Sequence, residues 1–362
     1  MEEKMSFEEL QEMVSICIEE LIQLKQEKEE LKQKNAELER LVAGIVESQK
    51  TVIDNVGQCF DNIEKNRHFI NHAIENIRYE LQDEEIGEDR YLVRFYDYDV
   101  TIDGIKEGKS LIRFGDGEFA LMAGTARQKF QRYDNRLAKR LQEIIRTDDE
   151  GLMIAVADNY GSLEKFNEDG RQGIRNYMTK EIRLQHREWL DTDRIYHNAY
   201  ITRPYALFAD NGTDAPGKRF RNLKQIWEGR DIIFVEGALS RLGMGNDLFD
   251  NAKSIRRIEA PAVSSFDRYD DILKAALKHK EENVLFLAAL GPTARVLVYD
   301  LYRAGCQAVD IGHVDLEYEW YRNGTGGRSE VKHKYNNELR GGDQVEAVED
   351  KKYSAQIIEK VY

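Results

Sequence analysis

The N-terminal part of the chain repeats apolar and polar positions with the period of a coiled coil over residues 8–50. The d positions carry Leu, Ile or Cys, and most a positions are apolar. The d set is Leu10, Cys17, Leu24, Leu31, Leu38 and Ile45, and the a set is Val14, Leu21, Lys28, Asn35 and Val42. Leucine at d with one asparagine at a is typical of a parallel two-stranded coil, because Asn35 can bond to its copy only in register.

Charged residues beside the apolar seam favour the same arrangement. In a parallel dimer each g position faces the next e position of the partner, and here all three facing pairs are attractive. The pairs are Glu20–Lys25, Glu27–Lys32 and Lys34–Glu39. We therefore predict that residues 1–50 form a parallel homodimeric coiled coil. The alternative is an amphipathic helix packed on its own globular domain.

Beyond the coil, residues 51–90 keep apolar spacing in a less regular form. Gly44 weakens the helix near the end of the coil, since glycine is a poor helix former. We expect a helical linker over residues 51–90 that leaves the dimer seam. The acidic segment Asp83–Asp89 is predicted to be the hinge into the globular part.

From residue 91 onward, short apolar runs alternate with amphipathic stretches, which predicts an α/β domain with a mostly parallel sheet over residues 91–330. The predicted strands are Ser110–Phe114, Leu152–Val156, Ile195–Ile201, Asp231–Val235, Ile255–Ile258, Val284–Ala289 and Ala308–Ile311. The predicted helices include Asn135–Arg146, Gly173–Leu190, Asp267–Lys280 and Ala294–Ala304. Residues 331–362 are interpreted as a C-terminal tail with a short final element.

Composition excludes several classes of protein. The net charge is −14, and residues 1–90 carry 23 acids against 11 Lys or Arg, so the rest is close to neutral. No basic field that would attract nucleic acid is present, and no apolar run is long enough for a transmembrane segment. Three scattered cysteines give neither a disulfide framework nor a zinc spacing. We therefore expect a cytoplasmic protein that binds no nucleic acid.

The first candidate for chemistry is the loop after the predicted strand Ser110–Phe114. It carries Asp116 and Glu118 between glycines. Acids at i and i+2 of an extended segment point to the same side, and two carboxylates suit a hard divalent cation. The plain alternative is a tight turn, since Asp-Gly is a common turn dipeptide.

Two further loops have glycines where a strand ends. The loop after Asp231–Val235 contains Ser240, Arg241, Gly243, Gly245 and Asn246, and the loop after Val284–Ala289 contains Gly291 and Thr293. Closely spaced glycines let backbone amides approach a phosphate, and a helix start leaves free amides for an anion. A plain loop and an ordinary helix start explain the same residues.

The last candidate is the polar run His313, Asp315 and Glu317, which alternates with Val314 and Leu316. In an extended segment the three polar side chains share one face. A histidine beside two acids is a candidate base or metal ligand. A solvated edge strand gives the same pattern.

These four motifs, in this order, resemble the bacterial GT-D-type glycosyltransferases over residues 91–330. The resemblance implies a Rossmann-like nucleotide-binding fold and an Asp-x-Glu metal motif that maps onto Asp116 and Glu118. It also implies transfer of a sugar from a nucleotide donor, commonly UDP-linked, to a hydroxyl acceptor in a surface glycan or glycoprotein.

The resemblance gives each candidate residue an expected role. Asp116 and Glu118 are expected to hold Mn²⁺ or Mg²⁺, which stabilises the departing diphosphate. His313 or Asp315 is the expected base, unless Asp315 orients His313. A separate base without an obvious nucleophile favours inversion at the sugar. The residues expected to bind the nucleotide-sugar are Arg113, Arg203, Ser240, Arg241, Gly243, Gly245, Asn246, Gly291 and Thr293.

Several alternatives stay open at this point. Arg113 could instead pair with Glu118 and only fix its rotamer. A metal-dependent phosphoesterase would use Asp116, Glu118, His313 and Asp315 but would leave the glycine loop without a role. A non-catalytic scaffold would have the coil as its functional part.

Overall fold

A computed structural model describes residues 6–81, 93–125, 130–281, 283–336, 338–339 and 341–362. The chain divides into two units, which we call the helical unit (Met1–His68) and the compact unit (Phe69–Tyr362). The hinge predicted at Asp83–Asp89 lies outside the described residues. None of the helices described has an apolar stretch that is able to cross a bilayer.

The N-terminal helix α1 runs without interruption over Phe7–Glu80. The linker predicted from residue 51 is helical as far as residue 80, and no break at Gly44 separates it from the preceding residues. One glycine costs a helix only about 1 kcal/mol relative to alanine, and the Gly44 carbonyl accepts a hydrogen bond from Ser48 Oγ at 2.8 Å. The apolar heptad residues of Met1–His68 are all exposed to solvent in the single chain.

The compact unit is built on one sheet, which has nine strands in the described part of the chain. They are β1 (Arg94–Phe95), β2 (Ser110–Phe114), β3 (Leu152–Val156), β4 (Ile195–Asn198), β5 (Asp231–Gly237), β6 (Ser254–Ala260), β7 (Leu285–Ala289), β8 (Gln307–Asp310) and β9 (Ile357–Lys360). The strand order is β1-β4-β3-β2-β8-β7-β5-β6-β9, and every strand pairing is parallel. The predicted parallel α/β fold is confirmed.

Helices connect these strands across both faces of the sheet. They are α2 (Tyr98–Lys106), α3 (Asp116–Met122), α4 (Asn135–Ile145), α5 (Glu168–Tyr177), α6 (Lys180–Arg187), α7 (Ala215–Lys224), α8 (Tyr269–Lys278), α9 (Thr293–Arg303), α10 (Val314–Arg322) and α11 (Lys351–Gln356). The helix predicted over Gly173–Leu190 is two helices, because Thr179 caps the start of α6 by accepting from Ile182 N at 3.3 Å.

Two apolar layers cover the sheet. On one face α3, α4, α8 and α9 pack over the strands, with Phe119 and Leu141 fully buried. On the other face lie α2, α7 and α10, with Trp227 and Trp320 fully buried. The chain leaves β2 toward the first face and leaves the neighbouring β8 toward the second. In open α/β sheets such a reversal opens a crevice at the carboxyl ends of the strands, where ligands bind.

Both ends of the compact unit extend beyond the domain boundaries predicted at residues 91 and 330. The last turns of α1 belong to it, since Asn76 is buried and Glu80 forms two hydrogen bonds of 2.8 and 2.9 Å with Arg175. The predicted C-terminal tail also belongs to it, because β9 pairs with β6. The segment after residue 330 is thus part of the domain.

Candidate functional site

The loops at the carboxyl ends of β2, β3 and β4 converge on one polar region. Tyr200 follows β4 and is buried there. Burial raises the pKa of its phenol, and the charges of Asp116 and Asp158 raise this pKa further, while Arg203 opposes them. Groups from three loops therefore lie close enough to influence one side chain.

Asp116 lies at the first residue of helix α3, so the extended geometry expected for this loop is wrong. Residues two apart on a helix do not face the same side. Asp116 is exposed, whereas Glu118 is buried. The Glu118 carboxylate accepts from Gly115 N at 2.9 Å and lies 3.2 Å from Arg295 Nη2. Burial raises the pKa of Glu118, and Arg295 opposes this shift.

This geometry fits a divalent ion that is shared with a substrate. Mg²⁺ usually keeps several waters and takes one or two carboxylates together with substrate phosphates. Asp116 offers such a carboxylate, but Glu118 is occupied by Arg295 and does not fit as a direct ligand. In the part of the chain that the structure describes, no three His, Cys, Asp or Glu side chains form a ready-made metal cluster.

Arg113, which was expected to assist a phosphate or pair with Glu118, does neither. It is buried and donates from Nε to the Asp310 carbonyl and from Nη2 to Asp310 Oδ1, both at 3.0 Å. Gly312 makes room for it, since a Cβ there would lie 1.9 Å from Arg113 Nη2. Burial lowers the pKa of Arg113, and Asp310 opposes this. Arg113 therefore fixes the ends of β2 and β8 against each other.

The glycine loop after β5 donates hydrogen bonds to α10. Gly243 N donates to Asp315 Oδ1 at 2.9 Å, and Asn246 Nδ2 donates to Asp315 Oδ1 and Glu319 Oε1 at 2.8 and 2.7 Å. Gly243 and Gly245 have φ of 71° and 79°, which favours glycine. The phosphate-binding role expected for this loop does not match these contacts.

Arg241 and Ser240 are also used within the protein. Arg241 Nη1 donates to the carbonyls of His333 and Glu346 at 2.8 and 2.9 Å, so it fastens the C-terminal segment. Ser240 lies in the turn that follows β5, where its backbone N–H donates to the Gly237 carbonyl at 2.8 Å. The structure gives neither residue a contact with the Tyr200 region.

The helix start at Gly291 and Thr293 is covered by neighbouring residues. Thr293 is fully buried, and its hydroxyl donates to Gln131 Oε1 at 3.3 Å. Gly291 has φ of 53°, and a Cβ there would lie 2.1 Å from the Phe130 ring. Neighbouring side chains therefore pack against this helix start, which was a candidate anion site in the sequence.

His313 and Arg203, in contrast, come together at the carboxyl edge of the sheet. His313 Nδ1 lies 2.7 Å from Arg203 Nη2 and 3.0 Å from Glu338 Oε1. Glu338 also pairs with Arg203 and, at 2.9 Å, with Arg328 Nε. We call Arg203, His313, Arg328 and Glu338 the cationic cluster.

The charges of the cationic cluster hold Glu338 and Arg203 ionised. Burial alone would raise the pKa of Glu338, but Arg203 and His313 hold it well below its usual value. Burial alone would lower the pKa of Arg203, but Glu338 raises it above its usual value. Sequence reasoning missed Glu338 and Arg328, because single charged residues in a Gly-rich segment carry no pattern.

Asp315 is buried away from the cationic cluster, on a helix that was expected to be an extended strand. Its Oδ2 accepts from Lys334 Nζ at 2.6 Å, and Lys334 Nζ also donates to Glu319 Oε1 at 2.8 Å. A carboxylate with an ion pair and two further donors is not available to take a proton. The roles expected for Asp315, as base or as partner of His313, do not fit.

Glu317 connects the Arg203 loop to α10. Its Oε2 accepts from the backbone N–H groups of Tyr205 and Ala206 at 3.0 and 2.8 Å. Burial raises its pKa to about 7, and the charge of Arg203 opposes this shift. Glu317 therefore holds the backbone just after Arg203 against the helix that begins after His313.

Two polar pairs near Tyr200 were also missed by sequence reasoning. Asp158 follows β3, is paired with Lys165, and accepts from Asn198 Nδ2 at 3.1 Å. Asn159 Oδ1 accepts from the Tyr200 hydroxyl at 2.8 Å. The signal that points to them is the polar pair directly after the apolar run of β3.

The fold and the site together define a class of protein: a doubly covered parallel α/β sheet with a charged ligand site at the carboxyl edge, where the strand order reverses. The family model described as "Glycosyltransferase GT-D fold" matches residues 111–339. The chain therefore belongs to the GT-D glycosyltransferase family.

Similar proteins come from streptococci. The chain is 38% identical over 257 residues to the "Probable glycosyl transferase Gly" of Streptococcus gordonii, covering 70% of this chain and 36% of the relative. It is 37% identical over 265 residues to the "Glycosyltransferase GlyD" of Streptococcus pneumoniae serotype 4 (strain ATCC BAA-334 / TIGR4), covering 73% and 32%. The chain thus spans about a third of the length of these curated relatives.

Solved structures share the fold. One is described as "A New Glycosyltransferase (DUF1792) from Streptococcus sanguinis", with a TM-score of 0.70 and 34% identity, covering 75% of this chain and 100% of that chain. Another is described as "The highly conserved domain of unknown function 1792 has a distinct glycosyltransferase fold", with a TM-score of 0.69 and 35% identity, covering 75% and 96%.

Proposed function

We propose that the compact unit is a metal-dependent glycosyltransferase that moves a sugar from a nucleoside-diphosphate donor, a UDP-sugar, to a hydroxyl of a surface glycan or glycoprotein. Family membership supports the reaction class, and two relatives carry glycosyltransferase names. The observation that carries the proposal is the cationic cluster at the carboxyl edge of the sheet. Asp116 follows β2 and Arg203 follows β4, so the positive groups and this exposed carboxylate lie at the same carboxyl edge of the sheet, where the crevice opens.

Each residue of this crevice has a task in the proposed reaction. A divalent ion at Asp116 would neutralise charge on the diphosphate as the sugar leaves. Arg203 and Arg328 attract and orient the phosphates, since guanidinium groups match phosphate oxygens in geometry. Glu118 does not bind the ion directly. Its pairing with Arg295 keeps the first turn of α3, and hence Asp116, in place.

His313 is the base in this proposal. Its side chain is 29% exposed, so it is accessible from solvent. A positioned base of this kind contributes about 10²–10⁴ in rate. In this proposal His313 removes the proton of the acceptor hydroxyl, and the hydroxyl oxygen attacks the anomeric carbon on the face opposite the leaving diphosphate, so the sugar configuration is inverted. The phosphoesterase alternative finds no support, since Glu118 and Asp315 are tied to Arg295 and Lys334.

An assay of UDP release tests the proposal. The purified chain is incubated with a panel of UDP-sugars and acceptors, with Mn²⁺, with Mg²⁺ or with EDTA. We expect metal-dependent turnover that Asp116→Ala abolishes. Asp169→Ala is the matched control, because Asp169 is another exposed aspartate in the first turn of a helix. Equal turnover by the two variants would contradict the role of Asp116. Undiminished turnover in EDTA would contradict the requirement for a divalent ion.

We further propose that the helical unit forms a parallel homodimer. Because α1 is uninterrupted, the heptad register that the sequence predicts to residue 50 continues on one helix, with Val52 and Cys59 at d and Val56 and Ile63 at a. All four side chains are exposed in the single chain. A second copy would cover this seam, and the three attractive g–e pairs favour the parallel orientation.

Two exposed cysteines at d positions provide a direct test of orientation. Cys17 and Cys59 each face their own copy in a parallel, in-register dimer, so mild oxidation should cross-link the chains. Cys17→Ser and Cys59→Ser should each retain one cross-link. If either substitution alone abolishes cross-linking, the helices run antiparallel, with Cys17 opposite Cys59. A monomeric mass in sedimentation equilibrium would refute the proposed dimer.

A further inference from the structure

We propose that Glu338, in the segment predicted as a C-terminal tail, is the positioning residue of His313: it accepts a hydrogen bond from Nδ1–H, so that Nε2 is left as the proton acceptor. This inference rests on the proposed function, in which His313 is the base. It goes beyond that function by assigning the ring tautomer and the residue that sets it. None of the four sequence motifs contains Glu338.

The geometry presents His313 Nδ1 with two competing partners. Arg203 Nη2 lies at 2.7 Å and would donate to an unprotonated Nδ1, whereas Glu338 Oε1 lies at 3.0 Å and would accept from a protonated one. Neutral imidazole carries one N–H, so only the second arrangement leaves Nε2 with a free lone pair. The carboxylate is favoured because an ionised acceptor forms the stronger hydrogen bond with Nδ1–H, and Arg203 and Arg328 both pair with Glu338 and favour its ionised form.

The C-terminal segment is held firmly enough for this role. Lys334 is fully buried and bonded to Asp315 and Glu319 on α10, the helix that His313 begins. Tyr335 N donates to the Leu239 carbonyl at 2.8 Å. Glu338 N donates to the Asn336 side chain at 3.0 Å. Glu338 is thus placed from the same helix that places His313.

The proton and electron balance of the step follows from this arrangement. The acceptor O–H gives its proton to His313 Nε2 while its oxygen forms the bond to the anomeric carbon. The bond from that carbon to the diphosphate oxygen breaks, and its electron pair leaves with the diphosphate. The imidazolium that forms carries its second proton on Nδ1, where the Glu338 carboxylate stabilises the new charge.

Nitrogen NMR of the unaltered protein tests the tautomer without any activity measurement. The full chain is labelled with ¹⁵N-histidine, and His313→Asn assigns the His313 signals by their loss. At a pH where the ring is neutral, we expect the pattern of a protonated Nδ1 and an unprotonated Nε2. The opposite pattern, with the proton on Nε2, would show that Arg203 sets the tautomer and would overturn the inference.

Kinetics of Glu338→Gln test the consequence for the reaction. We expect kcat to fall by about 10²-fold, within the range for a positioned base, with the donor KM little changed. Glu338→Asp should recover part of kcat. Glu346→Gln is the matched control, since Glu346 is an exposed glutamate in the same segment.

The outcomes separate this inference from the function on which it rests. Transfer by the unaltered protein, with Glu338→Gln and Glu346→Gln equal in kcat, would overturn the positioning role alone. No transfer by the unaltered protein with any UDP-sugar would overturn the proposed function, and the catalytic role of Glu338 with it.

Discussion

Lys334 is the residue whose replacement should most weaken the attachment of the C-terminal segment. Its ammonium is fully buried between the carboxylates of Asp315 and Glu319, which are 2% and 10% exposed. Lys334→Met keeps the length of the side chain but leaves two acids without a cation. Breaking a buried ion pair from one side costs about 3–5 kcal/mol. Asn246 still donates to both acids, so we expect a loss near the lower end, about 3 kcal/mol.

Urea unfolding followed by tryptophan emission measures this loss in the full chain. All three tryptophans, Trp189, Trp227 and Trp320, lie in the compact unit, so the signal does not report on the helical unit. Lys332→Met is the matched control, two residues away. Lys332 is 69% exposed and lies 4.0 Å from the exposed Glu346, and an exposed pair of this kind contributes about 0–1 kcal/mol.

The pH dependence of Lys334→Met gives a second check. Without the lysine, the two buried acids carry charge that no cation compensates, and protonation removes this charge. The loss of folding stability should therefore shrink as the pH is lowered. A Lys334→Met protein that unfolds within about 1 kcal/mol of Lys332→Met would refute the reasoning. A loss that grows at acid pH would refute it as well.

Three further predictions concern other parts of the molecule. Gly312→Ala should lower the free energy of unfolding by about 2 kcal/mol or more, because its Cβ would lie 1.9 Å from the buried Arg113 guanidinium; an unchanged urea midpoint would contradict this. Burial raises the pKa of Glu317 from 4.5 to about 7, so its folded form binds a proton more tightly and its contribution to stability falls as pH rises through that window. The stability of Glu317→Gln relative to the unaltered chain should therefore increase between pH 5 and pH 8, by up to a few kcal/mol; urea midpoints that differ equally at both pH values would contradict it. Asn35→Leu should relax the register of the helical dimer and favour larger oligomers, and a sedimentation profile identical to that of the unaltered chain would argue against a buried asparagine pair.

The sequence predicts the sheet well where strands are continuous apolar runs. β2 and β3 have the predicted bounds, since their residues are buried on both faces. The short β1 is missed, and β9 is covered only by the prediction of a short final element, because neither carries an apolar pattern long enough to be recognised as a strand. The segment after His313 is predicted as extended because its polar residues alternate. It is a helix whose acids are all buried against partners from other parts of the chain.

The candidate site is predicted in its location but only partly in its residues. Strand ends mark the carboxyl edge of the sheet, so the region of Asp116, Arg203 and His313 follows from the strand pattern. The strand pattern does not predict which polar side chains are free to face a ligand, because this depends on partners that are distant in the sequence. Arg113 is paired with Asp310 and Arg295 with Glu118, and neither pairing leaves a trace in local sequence.

A calorimetric titration of UDP into the full chain, with and without Mn²⁺, tests the central claim most directly. If a cation at Asp116 joins the protein to the diphosphate, Mn²⁺ should tighten UDP binding to the unaltered protein and to Asp169→Ala, but not to Asp116→Ala. UDP that binds equally well with and without metal, or as tightly to Asp116→Ala as to the unaltered chain in Mn²⁺, would contradict it.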